Sequence, residues 1–534
     1  MKTAAAISPS FPRPLVDESP AEYAARLGVF YLGEKRTEGR RELGQFFTPL
    51  EVARFMARLA RPGRRARHVL DPGAGVGILS CALCEELQVG PVHIDAYEID
   101  LGLTYLLRAT LENAQEWLSH KGIALTFTIH ETDFVTENAV YLSETTLFDS
   151  SPPRTYDVAV LNPPYFKLGK SDPRARAASE IVHGQPNIYA LFMGITASLL
   201  TDRGVMVSIT PRSFTTGDYF RRFREHLFSR VVPEAIHLFD SRKDAFREDS
   251  VLQENVILRA RKAKPGSVKT VRVSASGGIA DLKLPRSRAI PMESVLDVRS
   301  KDFVFHIPAD EKDEDILRFV RAWPETLRSL GLAVSTGPVV AFRSREFLEQ
   351  EEGDSTVPLL WLQHIKPMAV TWPLAGKRKP QRIRDGHASR KLLLPSENYV
   401  VLRRFSAKEE SRRLVAAPLF GKALSKTTIG LENHLNYVYR MRGHLSREEA
   451  AGLAAVLGSS LLDRYFRVSN GNTQVNATEL RALPLPSLPL VEAIGKELLH
   501  ARSTLVGEAA DQIVTEVLRV PHHLGVSPEA FTHA

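Results

Sequence analysis

The sequence is poor in cysteine and has no long apolar run, and each shortage excludes a class of protein. Two cysteines in 534 residues are too few for a disulfide framework or a four-cysteine zinc site. The longest apolar stretch, residues 188–200, is too short to span a bilayer. Residues 1–20 lack the charged segment and apolar run of a secretory signal. We therefore expect a soluble, cytoplasmic protein.

The two cysteines, Cys81 and Cys84, have the C-x-x-C spacing of a redox motif. They follow a glycine-rich turn, however, at the point where a helix should begin. We predict that they are small, buried residues of that helix.

Positive charge is distributed unevenly along the chain. Residues 1–260 hold 30 basic and 32 acidic residues, whereas residues 261–534 hold 40 and 30. Within 361–430 the ratio is 15 to 4. Such a local excess indicates a polyanion-binding surface, although a merely solvated basic face would look the same.

Strand and helix patterns alternate from residue 68 to residue 258. Predicted strands cover residues 68–70, 92–97, 125–129, 156–161, 204–210, 235–239 and 255–258. This alternation predicts an α/β fold with a doubly wound, mainly parallel, Rossmann-like sheet. Beyond Lys262 it stops, and short strand-like and helical pieces predict a mixed α+β domain. The predicted divisions are an arm and helix at 1–40, the α/β domain at 41–262, the mixed domain at 263–489 and C-terminal helices at 490–534.

A glycine-rich turn, D-P-G-A-G-V-G at 71–77, follows the first predicted strand. Its glycines let the backbone approach a ligand closely, but the spacing is not that of the dinucleotide fingerprint. Glu98 ends the second strand, 21 residues after Gly77. An acid that accepts hydrogen bonds from a ribose is expected at this position. Asp133 and Phe134 follow the third strand and offer an acceptor for an amine and a ring for stacking.

The segment Asn162-Pro163-Pro164-Tyr165 follows the fourth predicted strand directly. Ordinary turn chemistry explains its two prolines. It does not explain an aromatic ring beside an amide at the edge of the sheet where ligands bind. Upstream, the sequence T-P-L-E at 48–51 predicts a helix start with Thr48 as the N-cap.

Together these motifs resemble those of S-adenosylmethionine-dependent amino-methyltransferases. The motifs are G-Q-F-F-T-P at 44–49, the glycine turn, Glu98, Asp133-Phe134 and N-P-P-Y. Their order resembles that of the gamma group of N6-adenine DNA methyltransferases, mostly modification enzymes of restriction–modification systems. The resemblance covers about residues 40–260 and extends weakly to N-G-N-T-Q-V-N at 470–476 and P-L-P at 484–486. The pair Gly73-Ala74 stands where many members carry Ala-Cys, and both pairs are small.

The resemblance implies a role for each motif residue. The Asn162 oxygen and the Pro163 carbonyl, followed by Pro164, would hold the hydrogens of adenine N6, and the flipped base would stack between Tyr165 and Phe246. The residues implied for S-adenosylmethionine are Phe47, Thr48, Asp71, Gly73, Gly75, Glu98, Ile99, Asp133, Phe134 and Asn162. A sulfonium is an excellent leaving group, so direct in-line transfer needs positioning rather than a metal. The histidines His364, His434 and His444 are too scattered to suggest metal ligands.

The basic C-terminal half would then recognise double-stranded DNA. The implied DNA-binding residues are Lys377, Arg378, Lys379, Arg382, Arg384, Arg403 and Arg404, with Trp361 and Trp372 nearby. Lysine and arginine contacts to phosphates supply affinity and register, while other side chains read bases. We expect a monomer whose cognate restriction endonuclease acts separately.

Two alternatives stay open from the sequence alone. Asn-Pro-Pro-Tyr also occurs in methyltransferases of similar fold that act on an amino or amide group in RNA or protein. A non-catalytic DNA-binding specificity protein is the other alternative, although every expected motif position is filled. A fused nuclease would need a P-D…(D/E)-x-K pattern, for which we find no convincing match.

Overall fold

The computed structural model divides the chain into two compact units, Met1–Ile307 (unit 1) and Pro308–Ala534 (unit 2). The structure describes residues 11–34, 47–61, 67–142, 154–182, 186–239, 255–283, 285–296, 303–376, 379–406, 410–425, 427–470, 474–501 and 507–524. Within these ranges, none of the helices combines the length and apolar character that crossing a membrane requires.

Unit 1 is built on a large sheet whose first half is parallel. Its strands are β1 (His68–Pro72), β2 (Val92–Tyr97), β3 (Leu125–His130), β4 (Tyr156–Leu161), β5 (Leu200–Pro211), β6 (Val231–Phe239), β7 (Asn255–Lys262), β8 (Thr270–Ser276) and β9 (Arg286–Pro291). They lie in the order β3-β2-β1-β4-β5-β7-β6-β8-β9. The first five strands in this order, β3-β2-β1-β4-β5, are all parallel to one another, whereas β7 runs antiparallel between β5 and β6. The prediction of a doubly wound, mainly parallel α/β sheet is confirmed.

Helices cover both faces of this sheet. They are α1 (Pro20–Glu34), α2 (Leu50–Ala60), α3 (Ile78–Glu85), α4 (Leu101–Ser119), α5 (Phe134–Asn138), α6 (Pro173–Ala177), α7 (Ile188–Leu199), α8 (Arg221–Arg230) and α9 (Met292–Val295). Successive strand residues point to opposite faces. Val69 and Val160 therefore join the core beneath α2 and α3, while Leu70 and Leu161 join the core beneath α7. Both faces are buried, as a parallel sheet requires.

The strand order reverses at β1, which lies between β2 and β4. In open α/β sheets this reversal leaves a crevice at the carboxyl ends of the strands. The glycine turn at 71–77 follows β1, and Asn162 follows β4. The topology therefore brings these two motifs to the same crevice.

Cys81 and Cys84 are fully buried free thiols of α3, as predicted. Burial raises the pKa of the Cys84 thiol to about 12 and that of Cys81 well above its ordinary value. Neither thiol therefore has the thiolate character that redox exchange requires.

The end of unit 1 lies beyond the predicted boundary at residue 262. β8 pairs in parallel with β6, and β9 pairs antiparallel with β8, so the sheet continues past that point. The Phe305 ring then stacks on Phe214 and Phe228. Sequence alternation ends at 262 because the added strands arrive as a hairpin without a connecting helix.

Unit 2 mixes small sheets with helices, as the loss of alternation predicts. Its strands are β10 (Leu332–Thr336), β11 (Leu348–Glu349), β12 (Thr356–Leu360), β13 (Ile365–Lys366), β14 (Ala369–Val370), β15 (Arg382–Arg384), β16 (Leu393–Pro395), β17 (Tyr399–Arg403), β18 (Ala416–Leu419), β19 (Thr428–Leu431) and β20 (Leu435–Arg440). They form sheets in the orders β10-β20-β17-β18, β11-β15-β12-β19-β16 and β13-β14. The helices are α10 (Glu311–Arg321), α11 (Arg447–Leu457), α12 (Ser460–Ser469), α13 (Ala477–Arg481), α14 (Leu488–His500) and α15 (Gly507–Val517).

The two C-terminal helices, predicted as a separate segment at 490–534, pack into unit 2. α14 crosses α11 where glycines face each other's backbone. A Cβ at Gly452 would lie 1.8 Å from the Val491 oxygen, and one at Gly495 would lie 1.9 Å from the Glu448 oxygen. The glycines allow this contact, which the sequence pattern alone does not indicate.

Candidate active site

The glycine turn between β1 and α3 is fixed by the end of β2. The Gly73 and Ala74 amides both donate to the Tyr97 carbonyl oxygen at 2.9 Å. Gly73 and Gly75 have φ angles of +76° and +58°, which side-chain-bearing residues rarely adopt. The turn therefore exposes backbone rather than side chains to the crevice.

Glu98 connects this turn to the loop after β2. One carboxylate oxygen accepts from the Gly75 amide at 2.9 Å, and the other accepts from the Asp100 amide at 2.8 Å. The residue is 8% exposed, and burial raises the pKa of its carboxyl. Both oxygens are thus held in place where Glu98 lines the crevice.

Asp71, predicted as a cofactor contact, lies behind the cavity and does not line it. Its Oδ2 accepts from the Ser80 hydroxyl at 2.6 Å, while its buried Oδ1 has no hydrogen-bond partner in the described residues. Burial raises the pKa of this carboxyl to about 7. Its position favours support of the turn over direct contact with a ligand.

We expect the raised Asp71 pKa to make unit 1 less stable as the pH rises. The folded state keeps a proton that the unfolded chain releases, so stability falls between about pH 4 and pH 7 and is level above that. Each pH unit between the two pKa values lowers the free energy of unfolding by about 1.4 kcal/mol. Asp71→Asn removes this loss while retaining an oxygen for Ser80. Urea unfolding without cofactor at pH 5 and pH 8 measures it, and an equal pH difference in both proteins would contradict the assignment.

A cavity of about 970 Å³, including its open mouth, lies in the crevice. Its lining residues are Phe47, Thr48, Gly73, Ala74, Gly75, Ile78, Leu79, Tyr97, Glu98, Ile99, Leu103, Thr132, Asp133, Phe134, Asn162, Pro164, Phe166, Arg174, Ile188 and Phe192. All the predicted cofactor residues except Asp71 are among them. The Ile99 side chain is 60% exposed and stands at the mouth of the cavity.

Asp133 and Phe134 meet at the aromatic wall of the cavity. The Phe134 ring lies 5.1 Å from the Tyr97 ring and 5.1 Å from the Phe192 ring. Asp133 caps α5, because its Oδ1 accepts from the Thr136 amide at 2.9 Å. This cap fixes the start of the helix and holds the carboxylate at the cavity.

Residues outside the motifs complete the wall of the cavity, and no sequence motif identifies them. The Arg174 guanidinium lies 5.5 Å from the centre of the Phe166 ring and 3.7 Å from Asp133 Oδ2. Phe192 comes from the face of α7 and lies 3.5 Å from the Cβ position at Gly73. Of these residues, Phe166 could have been predicted from the sequence, since it directly follows Tyr165. Arg174 and Phe192 reach the cavity only through the packing of α6 and α7.

The Asn162 carboxamide is held between two hydroxyl groups. Its Nδ2 donates to Thr48 Oγ1 at 3.0 Å, and its Oδ1 accepts from the Tyr165 hydroxyl at 2.5 Å. The Tyr165 hydroxyl also lies 2.9 Å from the Ile209 carbonyl oxygen, and burial raises its pKa. Pro163 is buried beneath the segment, whereas Pro164 lines the cavity. The segment thus presents a fixed amide at the edge of the cavity.

The predicted role of Thr48 as an N-cap is wrong. Pro49, with φ −59° and ψ 145°, occupies the cap position before α2, and no side chain caps the helix. The Thr48 hydroxyl instead accepts from Asn162. Proline already fits the extended backbone of a cap position, which releases the threonine side chain toward the cavity.

Several residues of interest lie outside the described part of the chain. They are the predicted base-stacking residue Phe246, the basic residues Lys377 and Arg378, and residues 44–46 and 471–473. Within the described residues, no group of histidine, cysteine or acidic side chains could hold a metal ion.

The basic residues of unit 2 around β15 pack on tryptophan rings. The exposed Lys379 ammonium lies 4.8 Å from the centre of the Trp361 ring. The Arg382 guanidinium lies 4.9 Å from the Trp372 ring and 2.6 Å from Glu352. Lys379 makes no ion pair with any described residue, so its charge is available to a ligand.

The other predicted DNA contacts are engaged within unit 2. Arg384 forms an ion pair with Glu349. Arg403 is half-buried and donates through Nε to a backbone carbonyl oxygen at 2.8 Å. Arg404 donates to the Asn433 carbonyl oxygen at 3.2 Å. Arg403 and Arg404 therefore have structural roles in the sheet, whatever their contribution to binding.

Several known proteins that resemble this chain are restriction–modification enzymes. The family model for Eco57I restriction-modification methylases matches residues 107–246. Type II methyltransferase M.BsuBI of Bacillus subtilis is 35% identical over 87% of this chain and 91% of its own. Type II methyltransferase M.PstI of Providencia stuartii is 33% identical over 86% and 90%. The type IIL restriction-modification enzyme MmeI, solved in complex with DNA, shares the fold, with a TM-score of 0.56 and 12% identity over 97% of this chain and 79% of that one.

The sheet, the glycine turn and the amide at the cavity edge define a methyltransferase. At 35% identity over most of both chains, the chain belongs to the type II restriction–modification methyltransferase family. It is therefore a DNA methyltransferase, the modification enzyme of a restriction–modification system.

Proposed function

We propose that this enzyme transfers a methyl group from S-adenosylmethionine to adenine N6 in duplex DNA, after flipping the base out of the helix. The observation that carries the proposal is the Asn162 carboxamide, fixed by Thr48 and Tyr165 at the edge of the cavity that Glu98 lines. The enzyme acts on DNA at one short sequence, as modification requires.

The residues that line the cavity suit S-adenosylmethionine in polarity and charge. Positive φ angles at Gly73 and Gly75 leave the backbone open to the ligand. Glu98 offers carboxylate oxygens to ribose hydroxyls, and Phe134 and Ile99 offer apolar surfaces to an adenine ring. The ligand carries no phosphate, so a cavity with Arg174 as its basic lining residue suffices. When bound, it supplies an electrophilic methyl group on a sulfonium.

The amide edge suits an amine nucleophile. An exocyclic adenine nitrogen is a poor nucleophile because its lone pair is delocalised into the ring. Acceptance of its hydrogens by the Asn162 Oδ1 and the Pro163 carbonyl favours the pyramidal, nucleophilic form. A carboxamide oxygen has two acceptor sites, so the bond from Tyr165 is compatible with a bond from the substrate. The Tyr165 ring and, as the family resemblance implies, Phe246 would stack on the two faces of the flipped base.

The substrate class is tested by labelled methyl transfer to duplex DNA, RNA and protein, each offered separately. We expect transfer to duplex DNA alone. We also expect the enzyme to act as a monomer in the cytoplasm, with its cognate endonuclease as a separate protein. Transfer to RNA or to a protein amide instead, with none to DNA, would replace this proposal by the alternative of the same fold.

The basic surface near β15 would bind phosphates, and Lys379 is its clearest test. We expect Lys379→Gln to weaken DNA binding and to lower the slope of log affinity against log salt by about one. The cofactor affinity should stay unchanged, because the cofactor cavity lies in unit 1. Fluorescence anisotropy over a series of salt concentrations measures the slope.

The matched control is Arg318→Gln, which removes an exposed arginine of α10 that pairs with Asp315. It should leave the salt slope unchanged. Equal slopes for wild type and Lys379→Gln would show that the basic surface near β15 is a solvated surface that does not bind phosphates.

A further inference from the structure

Unit 2 exposes a phenylalanine that takes no part in its apolar clusters. Among its described residues, the large apolar side chains left exposed are Phe342 at 66%, Met441 at 55% and Leu490 at 39%. Phe342 belongs to none of the apolar clusters, although Ala341 before it and Phe347 after it pack against one. The Phe342 ring is therefore exposed, although neighbours on both sides of it in the sequence pack against the core.

The turn that carries Phe342 is pinned to the neighbouring strand. The Val339 amide donates to the Leu431 carbonyl oxygen at 3.1 Å, and the Asn433 amide donates to the Val339 carbonyl oxygen at 2.9 Å. A Cβ at Gly337 would lie 2.4 Å from the Glu432 carbonyl oxygen, so glycine is needed for this approach.

Hydrogen bonds within the turn hold the ring outward. The Arg343 and Ser344 amides donate to the Val340 carbonyl oxygen at 2.9 and 3.0 Å, and Ser344 is buried. Phe342 is thus presented on a fixed support, which lowers the entropy lost when the ring inserts into a ligand.

Two arginines follow Phe342 in the same turn. The Arg343 guanidinium lies 5.2 Å from the centre of the Phe342 ring. The Arg345 side chain is exposed and makes no hydrogen bond or ion pair with the described residues. Two cations beside an exposed ring match a polyanion that also offers stacked planar groups, which is nucleic acid.

The turn is continuous with the basic strand already described. It leads into β11, where Leu348 pairs with Ile383 and Glu349 pairs with Arg382 of β15. Val339 and Ile383 belong to the same apolar cluster. The exposed ring and the basic surface near β15 therefore belong to one small substructure of unit 2.

We infer that Phe342 is a wedge that inserts between base pairs of the bound duplex, with Arg343 and Arg345 on the adjacent phosphates. Apolar side chains that insert between base steps unstack them and distort the helix. An enzyme that extrudes a base must meet that unstacking cost. The inference rests on the proposed function, since it assigns to this turn a part in opening the duplex.

Two duplexes that carry the sequence modified by the wild-type enzyme provide the test. One is fully paired, and the other lacks the base opposite the target adenine, so that its stack is already weakened. We expect Phe342→Ala to bind the paired duplex about tenfold more weakly and the weakened duplex less than about twofold more weakly. With 2-aminopurine at the target position, the fluorescence increase on binding should fall with the variant on the paired duplex. Phe342→Trp should restore both signals.

Leu490→Ala is the matched control, because it removes another exposed apolar side chain of unit 2. It should bind both duplexes as the wild type does. Equal weakening of both duplexes by Phe342→Ala, or no weakening of either, would overturn the wedge. A wild-type enzyme that modifies no DNA would instead overturn the proposed function.

Discussion

Replacing Asn162 with alanine should reduce methyl transfer by at least about 100-fold while cofactor affinity changes by less than about threefold. The reduction is expected because a group placed where charge develops contributes about 10²–10³ in rate. The cofactor is spared because Asn162 is one of many groups lining the cavity. Single-turnover transfer of a labelled methyl group and calorimetry with S-adenosylhomocysteine measure the two effects.

Asn162→Asp distinguishes acceptor chemistry from loss of shape. It keeps an oxygen for the substrate but loses the donor to Thr48, so we expect activity between those of wild type and the alanine variant. Retention of more than a tenth of the wild-type rate by Asn162→Ala would refute the role of the amide.

Replacing Glu98 with alanine should weaken binding of the cofactor by at least about tenfold. A hydrogen bond to a charged group contributes about 1.5–3 kcal/mol, and Glu98 also holds the Gly75 amide at 2.9 Å. Both the acceptor for the ligand and the shape of the turn are therefore lost. Calorimetry with S-adenosylhomocysteine and no DNA measures the effect on binding alone.

Glu86→Ala serves as the comparison, because it removes an exposed carboxylate from the residue that follows α3. It should bind the cofactor as the wild type does. If Glu98→Ala also retained wild-type affinity, the carboxylate would serve the turn and not the ligand.

The parallel half of the fold was predictable because its strands are short apolar runs with local turn signals. β1 to β4 appear where the sequence places them, and their carboxyl ends carry the motifs. The hairpin of β8 and β9 was not recognised as part of the sheet, since its pairing with β6 depends on long-range contact. The docking of α14 on α11 is likewise a contact between distant glycines.

The positions of the site residues at strand ends predict that they lie near one another, but not which hydrogen bonds they make. Glu98, Asp133 and Asn162 do line one cavity. Asp71 does not, because it lies one layer inward with Ser80. The bond from Asn162 to Thr48 spans 114 positions of sequence, and no local pattern encodes it. Arg174 and Phe192 were missed for the same reason.

The basic side chains of the C-terminal half differ in whether they are exposed or make internal contacts. Several arginines of the basic half make contacts within unit 2, including the half-buried Arg403 and Arg404. Lys379, Arg343 and Arg345 remain exposed in the described residues. Charge counting therefore indicates which unit is basic but not which of its residues are available to a phosphate.

The central claim is tested most directly by mapping modified bases in the DNA of a host that expresses the chain and lacks adenine methylation of its own. We expect N6-methyladenine at every copy of one short sequence, and none in a host that expresses Asn162→Ala. Methylated cytosine at a defined sequence, or unmodified DNA alongside methylated RNA, would contradict it.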